Sequence, residues 1–239
     1  MKVLRHTLVS EGTTDAHLIP IIDWSLKQVG GVSLPEGTRA EFGRLLKKPA
    51  GLAERLATAI ELYPCEVLFV HRDADKTNPA NRIAEIREAV AFLETQGKRV
   101  PAVAIIPVRM LEAWLCFDER AIRCAAGNPN GNTPLELPLL KQIESRPDPK
   151  SDLTQAIRAA SELSGRRLKK FDTRTAFWRI VDFIDDFSPL RELSAFRSFE
   201  ASLVKLKEDG WKPGLYASPD PASGNSFAST PRRTSRSKS

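Results

Sequence analysis

The run Val67-Leu68-Phe69-Val70-His71-Arg72-Asp73-Ala74-Asp75 decides how the chain is read. Four apolar residues, two of them β-branched, break abruptly into two carboxylates one residue apart. That pattern predicts a strand buried on both faces, as inside a parallel sheet, delivering its acids to the carboxyl edge of that sheet. In open α/β sheets this edge is where ligands bind. Carboxylates spaced i, i+2 stay ionised side by side cheaply only if they diverge or share a counter-cation, and a hard divalent ion such as Mg²⁺ is the usual partner. A solvated acidic turn explains the same residues more plainly, so the weight falls on what else reaches that edge.

Two other strand ends bring acids. Val3-Leu4-Arg5-His6-Thr7-Leu8-Val9-Ser10 reads as a strand and runs into Glu11-Gly12-Thr13-Thr14-Asp15. Thr13 or Thr14 is placed to cap a helix through His17, Leu18, Ile21, Ile22 and Leu26, which puts Glu11 at a strand-to-helix turn where Gly12 allows close backbone approach. Asp15, in the first helical turn, is explained by the helix dipole and ranks below Glu11. A third strand, Val100 to Ile106, leads through Pro107-Val108-Arg109 to a helix starting Met110-Leu111-Glu112-Ala113-Trp114-Leu115. At 100° per residue Glu112 falls beside the apolar face formed by Met110, Leu111, Trp114 and Leu115. Three strand ends then deliver Glu11, Asp73, Asp75 and Glu112 to one edge. Arg72 and Arg109 each flank one of these acids and either neutralise it or contact phosphate.

A strand ending in Glu-Gly followed by a strand ending in Asp-x-Asp resembles the Toprim domain shared by topoisomerases, primases and the overcoming-lysogeny-defect nucleases. The resemblance is closer to small Toprim-like bacterial proteins linked to phage defence, through Pro107-Val108-Arg109-Met110-Leu111-Glu112-Ala113-Trp114-Leu115, Asp148-Pro149-Lys150 and Phe196-Arg197-Ser198-Phe199, over roughly residues 1 to 205. It implies that Glu11, Asp73 and Asp75 are the Toprim acids and Glu112 an additional site acid. It further implies a Mg²⁺- or Mn²⁺-dependent nuclease with nucleic acid as substrate and a partner ATPase. Asp15 departs from the Glu expected in that group.

Elsewhere the chain alternates helix and strand. Leu52, Leu56, Ile60 and Tyr63 mark a helix before the central strand, and Ile83, Ile86, Val90 and Leu93 one after it, both at helical spacing. This alternation reads as α/β with a mostly parallel sheet flanked by helices, and the resemblance implies that the sheet is of Toprim or Rossmann-like type. The segments are an α/β core over 1–125, a helical region over 126–210 packed on it, and a disordered basic tail over 211–239. Further helices are expected around Leu153 to Leu163, Thr175 to Phe187 and Leu190 to Leu206, with Arg166, Arg167, Lys169 and Lys170 in a linker between two of them. That basic linker is the best candidate in the body of the chain for touching phosphate.

The 239 residues, 41% hydrophobic and 28% charged, suffice for one large core, and the net charge is +6. Arg232, Arg233, Arg236 and Lys238 contribute four of those charges, so the body of the chain is not strongly basic. No signal-peptide pattern and no membrane-length apolar stretch is present, which points to a cytoplasmic protein. Cys65, Cys116 and Cys124 have the spacing of neither a disulfide framework nor a zinc site and read as reduced thiols.

Two chemistries compete for the acids. In one, Glu11, Asp73, Asp75 and Glu112, with no matching Lys or Arg cluster nearby, hold one or two metal ions that activate a phosphodiester. In the other, Asp73-Ala74-Asp75-Lys76-Thr77 is the Asp-x-Asp-x-Thr nucleophile motif of a haloacid-dehalogenase-type phosphohydrolase. A non-catalytic binding or sensor module with a vestigial site is the third class. His71 reads as a packed strand residue rather than a base.

Overall fold

Val3–Val9, exposed at Val3 and Arg5 and buried from His6 onward, and Val67–His71 and Ala102–Ile105, buried throughout, are the strands β1, β3 and β4 of one parallel sheet. Between the first two lies β2 (Leu34–Arg39), and Tyr216–Ala217 adds a short β5, giving the order β2-β1-β3-β4-β5 with every neighbouring pair parallel. This computed structural model describes residues 3–12, 14–74, 78–108, 110–212 and 216–217. The registers His6↔Val67 to Val9↔Val70 and Leu68↔Ala102 to His71↔Ile105 align the carboxyl ends of β1, β3 and β4, so Glu11, Asp73 and the segment leading to Glu112 leave the sheet on one side.

A 3₁₀ turn over Thr14–His17 leads into α1 (Leu18–Gln28), whose Leu18, Ile21, Ile22 and Leu26 are buried. Pro20 is tolerated there because first-turn N–H groups have no intrahelical acceptor. Next come α2 (Leu52–Leu62) and α3 (Pro79–Thr95). Asn78 caps α3 by accepting the Ala80 N–H at 2.9 Å, with Pro79 at the first helical position. The rest is helical: α4 (Glu119–Ala125), α5 (Leu140–Ile143), α6 (Pro149–Ala160), α7 (Gly165–Lys170), α8 (Thr173–Arg179) and α9 (Ser194–Glu208).

Period-two alternation sends β-sheet side chains to two cores. Leu8, Phe69, Val103 and Ile105 face α1, α4, α6, α8 and α9, whereas Val9, Leu68, Val70 and Ala104 face α2 and α3. Aromatic rings fill the first core. Trp114 meets Phe196 with centroids 5.3 Å apart, and Phe69 meets Phe199 at 6.2 Å. Each such ring, fully buried, contributes about 1.5–3 kcal/mol from lost apolar surface alone. The helical region is thus the second layer of the sheet, and the Phe196 to Phe199 motif is packing rather than chemistry. Among the described residues no helix is long and apolar enough to cross a membrane.

The topology has a particular consequence for β1 and β3. They are adjacent, yet α1 follows β1 on one face of the sheet and α3 follows β3 on the other. Their loops therefore diverge and open a crevice at the carboxyl edge, the geometry that makes switch points in α/β sheets ligand sites.

The structure differs from the sequence reading in several places. β2 escaped it because Pro35 and Gly37 interrupt its pattern on an edge strand. Gly37 is required there: a Cβ would lie 2.6 Å from both His6 Cε1 and Ile19 Cγ2. Met110 to Leu115 does not begin an α-helix; Leu111–Leu115 is a 3₁₀ turn with all five residues buried. Arg166 to Lys170 is not a linker but α7. The segment expected as one helix over Thr175 to Phe187 breaks after α8 and Ile180–Phe183, leaving Asp185 and Asp186 in a loop. Disorder does not begin at 211, since Trp211 packs against the core and Tyr216–Ala217 pairs with β4. From 218 onward the expected disordered stretch lies outside the described residues, as do Thr13, Asp75, Lys76, Thr77 and Arg109.

Candidate active site

A cavity of about 360 Å³ opens at the crevice, lined by Glu11, Asp15, Asp73 and Glu112 together with Lys150 and Phe177. Glu11 and Asp73 follow β1 and β3 directly. The parallel register of β1 and β3 brings them to the same edge.

Asp15, ranked low from sequence, is the most firmly held of the four. The 3₁₀ turn folds it back so that Oδ2 accepts the Gly12 N–H at 2.8 Å, and it is 7% exposed. His71 stands behind it. Its Nδ1 donates to the Ile105 carbonyl at 3.2 Å, and because a carbonyl only accepts, the second ring nitrogen is the one turned to the site. That Nε2 lies 3.8 Å from Asp15 Oδ2 and 3.6 Å from Asp73 Oδ1, between the acids that follow β1 and β3. Arg82 Nε donates to the Asp73 carbonyl at 3.1 Å, fixing the backbone of the same turn.

Glu11 is partly exposed, and Arg72 Nη2 sits 3.0 Å from its Oε1 while Nη1 reaches Glu85 at 2.9 Å. This double engagement favours the neutralising role for Arg72 over phosphate contact. Glu112 is 8% exposed in the buried 3₁₀ turn. Its partner comes from the Asp148-Pro149-Lys150 motif, which is a helix start. Asp148 accepts the Ser151 N–H at 2.9 Å, Pro149 fills the first position of α6, and Lys150 extends its Nζ to 3.4 Å from Glu112 Oε1. The expectation of acids without a matching cationic set is therefore corrected: Arg72 and Lys150 each pair with one.

His17 packs behind the Phe177 wall. It is 3% exposed and its ring packs 4.9 Å from Phe177 and 4.5 Å from Trp178. Burial pushes its pKa down to about 4, against the opposing pull of the Asp15 carboxylate. Behind Glu112, burial and then the charges of Asp152 and Glu112 push the Cys116 thiol up to about 12, which keeps it protonated and unreactive.

The donors at the cavity are carboxylate oxygens, which suit a hard divalent cation and not a soft one. Among the described residues no three His, Cys, Asp or Glu side chains are placed to hold a single ion. Glu11 and Glu112 are turned toward Arg72 and Lys150, and Asp75, from the same strand end as Asp73, lies outside the described residues. The sequence reading thus named three of the four carboxylates found at the cavity. It missed Asp15, His71 and Lys150.

No family model, curated protein sequence or solved structure matches the chain.

Proposed function

We propose that the chain is a divalent-metal-dependent phosphoryl-transfer enzyme of Toprim-like type, acting as a nuclease on the phosphodiester bonds of nucleic acid in the cytoplasm. The observation that carries this reading is the convergence of Glu11, Asp15, Asp73 and Glu112 on one cavity at the β1/β3 crevice. Surface solvation does not explain it, because Asp15 and Glu112 are buried. These four, with Asp75, are the residues that would hold Mg²⁺ or Mn²⁺. Such an ion supplies Lewis-acid polarisation of a phosphodiester and an acidified water.

The chain's own residues have separable parts in this reading. The Gly12 N–H keeps the Asp15 carboxylate in one orientation, so that less ordering is needed when a ligand arrives. Arg72 and Lys150 balance Glu11 and Glu112, and Lys150, its side chain two-thirds exposed, is the cation at hand for a phosphate oxygen. Phe177 walls one side and excludes water. A role in phage defence with a partner ATPase belongs to the same proposal and rests on the sequence resemblance alone.

The test compares divalent-dependent cleavage of DNA and RNA with hydrolysis of a small phosphomonoester, in the wild type and in Glu11→Gln, Asp73→Asn and Glu112→Gln. Loss of nucleic-acid cleavage in Glu11→Gln and Asp73→Asn alike is expected. Phosphomonoesterase activity that depends on Asp73 but survives Glu11→Gln would overturn the reading in favour of an aspartyl-nucleophile phosphohydrolase.

A further inference from the structure

The α7 helix has no buried residue and carries Arg166, Arg167, Lys169 and Lys170 within its six residues. At 100° per residue Arg166, Lys169 and Lys170 fall within an arc of about 100°, with Arg167 beside it and half-buried Leu168 on the opposite side. The helix thus rests on Leu168 and presents its cations outward. None of the four makes an ion pair among the described residues, whose paired cations lie elsewhere.

The flanking acids do not compensate them. The Glu162 carboxylate accepts the N–H groups of Asn132 at 2.6 Å and Thr133 at 2.7 Å, which hold it well below its ordinary pKa and turn it to the opposite loop. Asp172 caps α8 through the Thr175 N–H at 3.0 Å. Four adjacent positive charges therefore face solvent with their acidic neighbours committed to structure.

Position connects this face to the cavity. Phe177 of α8 lines the cavity, seven positions along the chain from Lys170. Three extended steps and one helical turn bound that separation at about 17 Å, less than the width of a duplex. A chain of phosphates seated at the carboxylates is therefore long enough to reach α7. The carboxylates themselves repel such a polymer in the absence of metal, so its attraction must come from cations beside them.

We infer that α7 is the electrostatic landing surface for the phosphate backbone of the nucleic acid whose bond reaches the cavity. This deepens the nuclease reading and rests on it for the polymer's identity. Binding is sequence-independent, because the contacts are to phosphate and not to base edges.

The experiment measures anisotropy of fluorescein-labelled single-stranded and duplex DNA, with EDTA present, across KCl concentrations. The full-length wild type is compared with Arg166→Ala/Arg167→Ala/Lys169→Ala/Lys170→Ala, with the charge-matched Lys169→Glu/Lys170→Glu, which touches two side chains instead of four, and with a control, Arg87→Ala/Lys205→Ala, at exposed sites on α3 and α9. Neutralising α7 should weaken binding at least about tenfold at 0.1 M salt and flatten the log–log salt slope by about 2 to 3, while the control changes neither. Melting temperatures should stay together, since the four side chains touch no core. Unchanged affinity and slope in both α7 variants would overturn the inference, as would loss of binding to phosphatidylserine vesicles with no loss on DNA. Asp73→Asn separates the two claims, for it should stop cleavage without weakening metal-free binding. Asp73-dependent cleavage with α7-independent binding sinks this inference alone, and α7-dependent binding without any cleavage sinks the nuclease reading alone.

Discussion

Acid should destabilise this protein through His17 before its carboxylates titrate. The imidazole is 3% exposed, wedged against Phe177 and Trp178, and burial lowers its pKa from 6.5 to about 4. The unfolded chain takes up a proton below about 6.5, but the folded chain does so only near 4. Protons therefore favour the unfolded state throughout that window, and stability present above 6.5 is lost as the pH falls. Integrating the two titrations gives a loss of about 2 kcal/mol at pH 5 and about 3 kcal/mol at pH 4 relative to neutral pH. His17→Leu removes the titration and keeps an apolar body in the site. Urea unfolding followed by tryptophan fluorescence between pH 7.5 and 4 should show the stability difference moving by these amounts in the variant's favour as pH falls. Asp152, Glu162, Asp172 and Asp186, held low by their hydrogen bonds, contribute only nearer to and below their ordinary range and equally in both proteins. Curves that run parallel from pH 7.5 to 5 would refute the reasoning.

Three further outcomes are expected. Gly37→Ala should cost about 1–3 kcal/mol in urea unfolding, because its Cβ would press on His6 and Ile19 at 2.6 Å; a neutral result would mean that β2 sits otherwise. Arg191→Met removes two bonds, at 2.8 and 2.9 Å, to the buried Glu200 and should cost about 2 kcal/mol, part of which Glu200→Gln restores in the double variant, as thermal melts would register. Cys116 should resist iodoacetamide at pH 8 in the native protein and react once unfolded, with mass spectrometry locating the adduct; native labelling at Cys116 would contradict its burial.

Strand-like runs such as Val67 to Val70 were legible because burial on both faces leaves a continuous apolar signature. Glu11, Asp73 and Glu112 were legible because each stands just past a strand or its following loop, and parallel strands put such positions on one edge. β2 was not, since an edge strand with Pro35 and Gly37 lacks that signature. Asp15 and Lys150 were hidden for a different reason. Each has an ordinary local explanation, a helix-dipole acid and a helix-start residue, and only tertiary placement against His71 or Glu112 distinguishes them. Local pattern carries no information on which of two equally ordinary charges will meet across the fold.

The face of the sheet covered by α9 also bears on synthesis. Roughly 90 residues separate the end of β4 from the start of α9, whose Phe196, Phe199 and Leu203 close the core over Phe69. At ribosomal rates that interval is about 5–18 s, during which a nascent sheet displays an apolar surface with its cover still unmade. Such sequence-distant closure slows folding and exposes the intermediate to aggregation. The chain is thus expected to engage chaperones that hold apolar nascent segments, and truncations ending before Ser194 should accumulate as insoluble protein, not as smaller folded units.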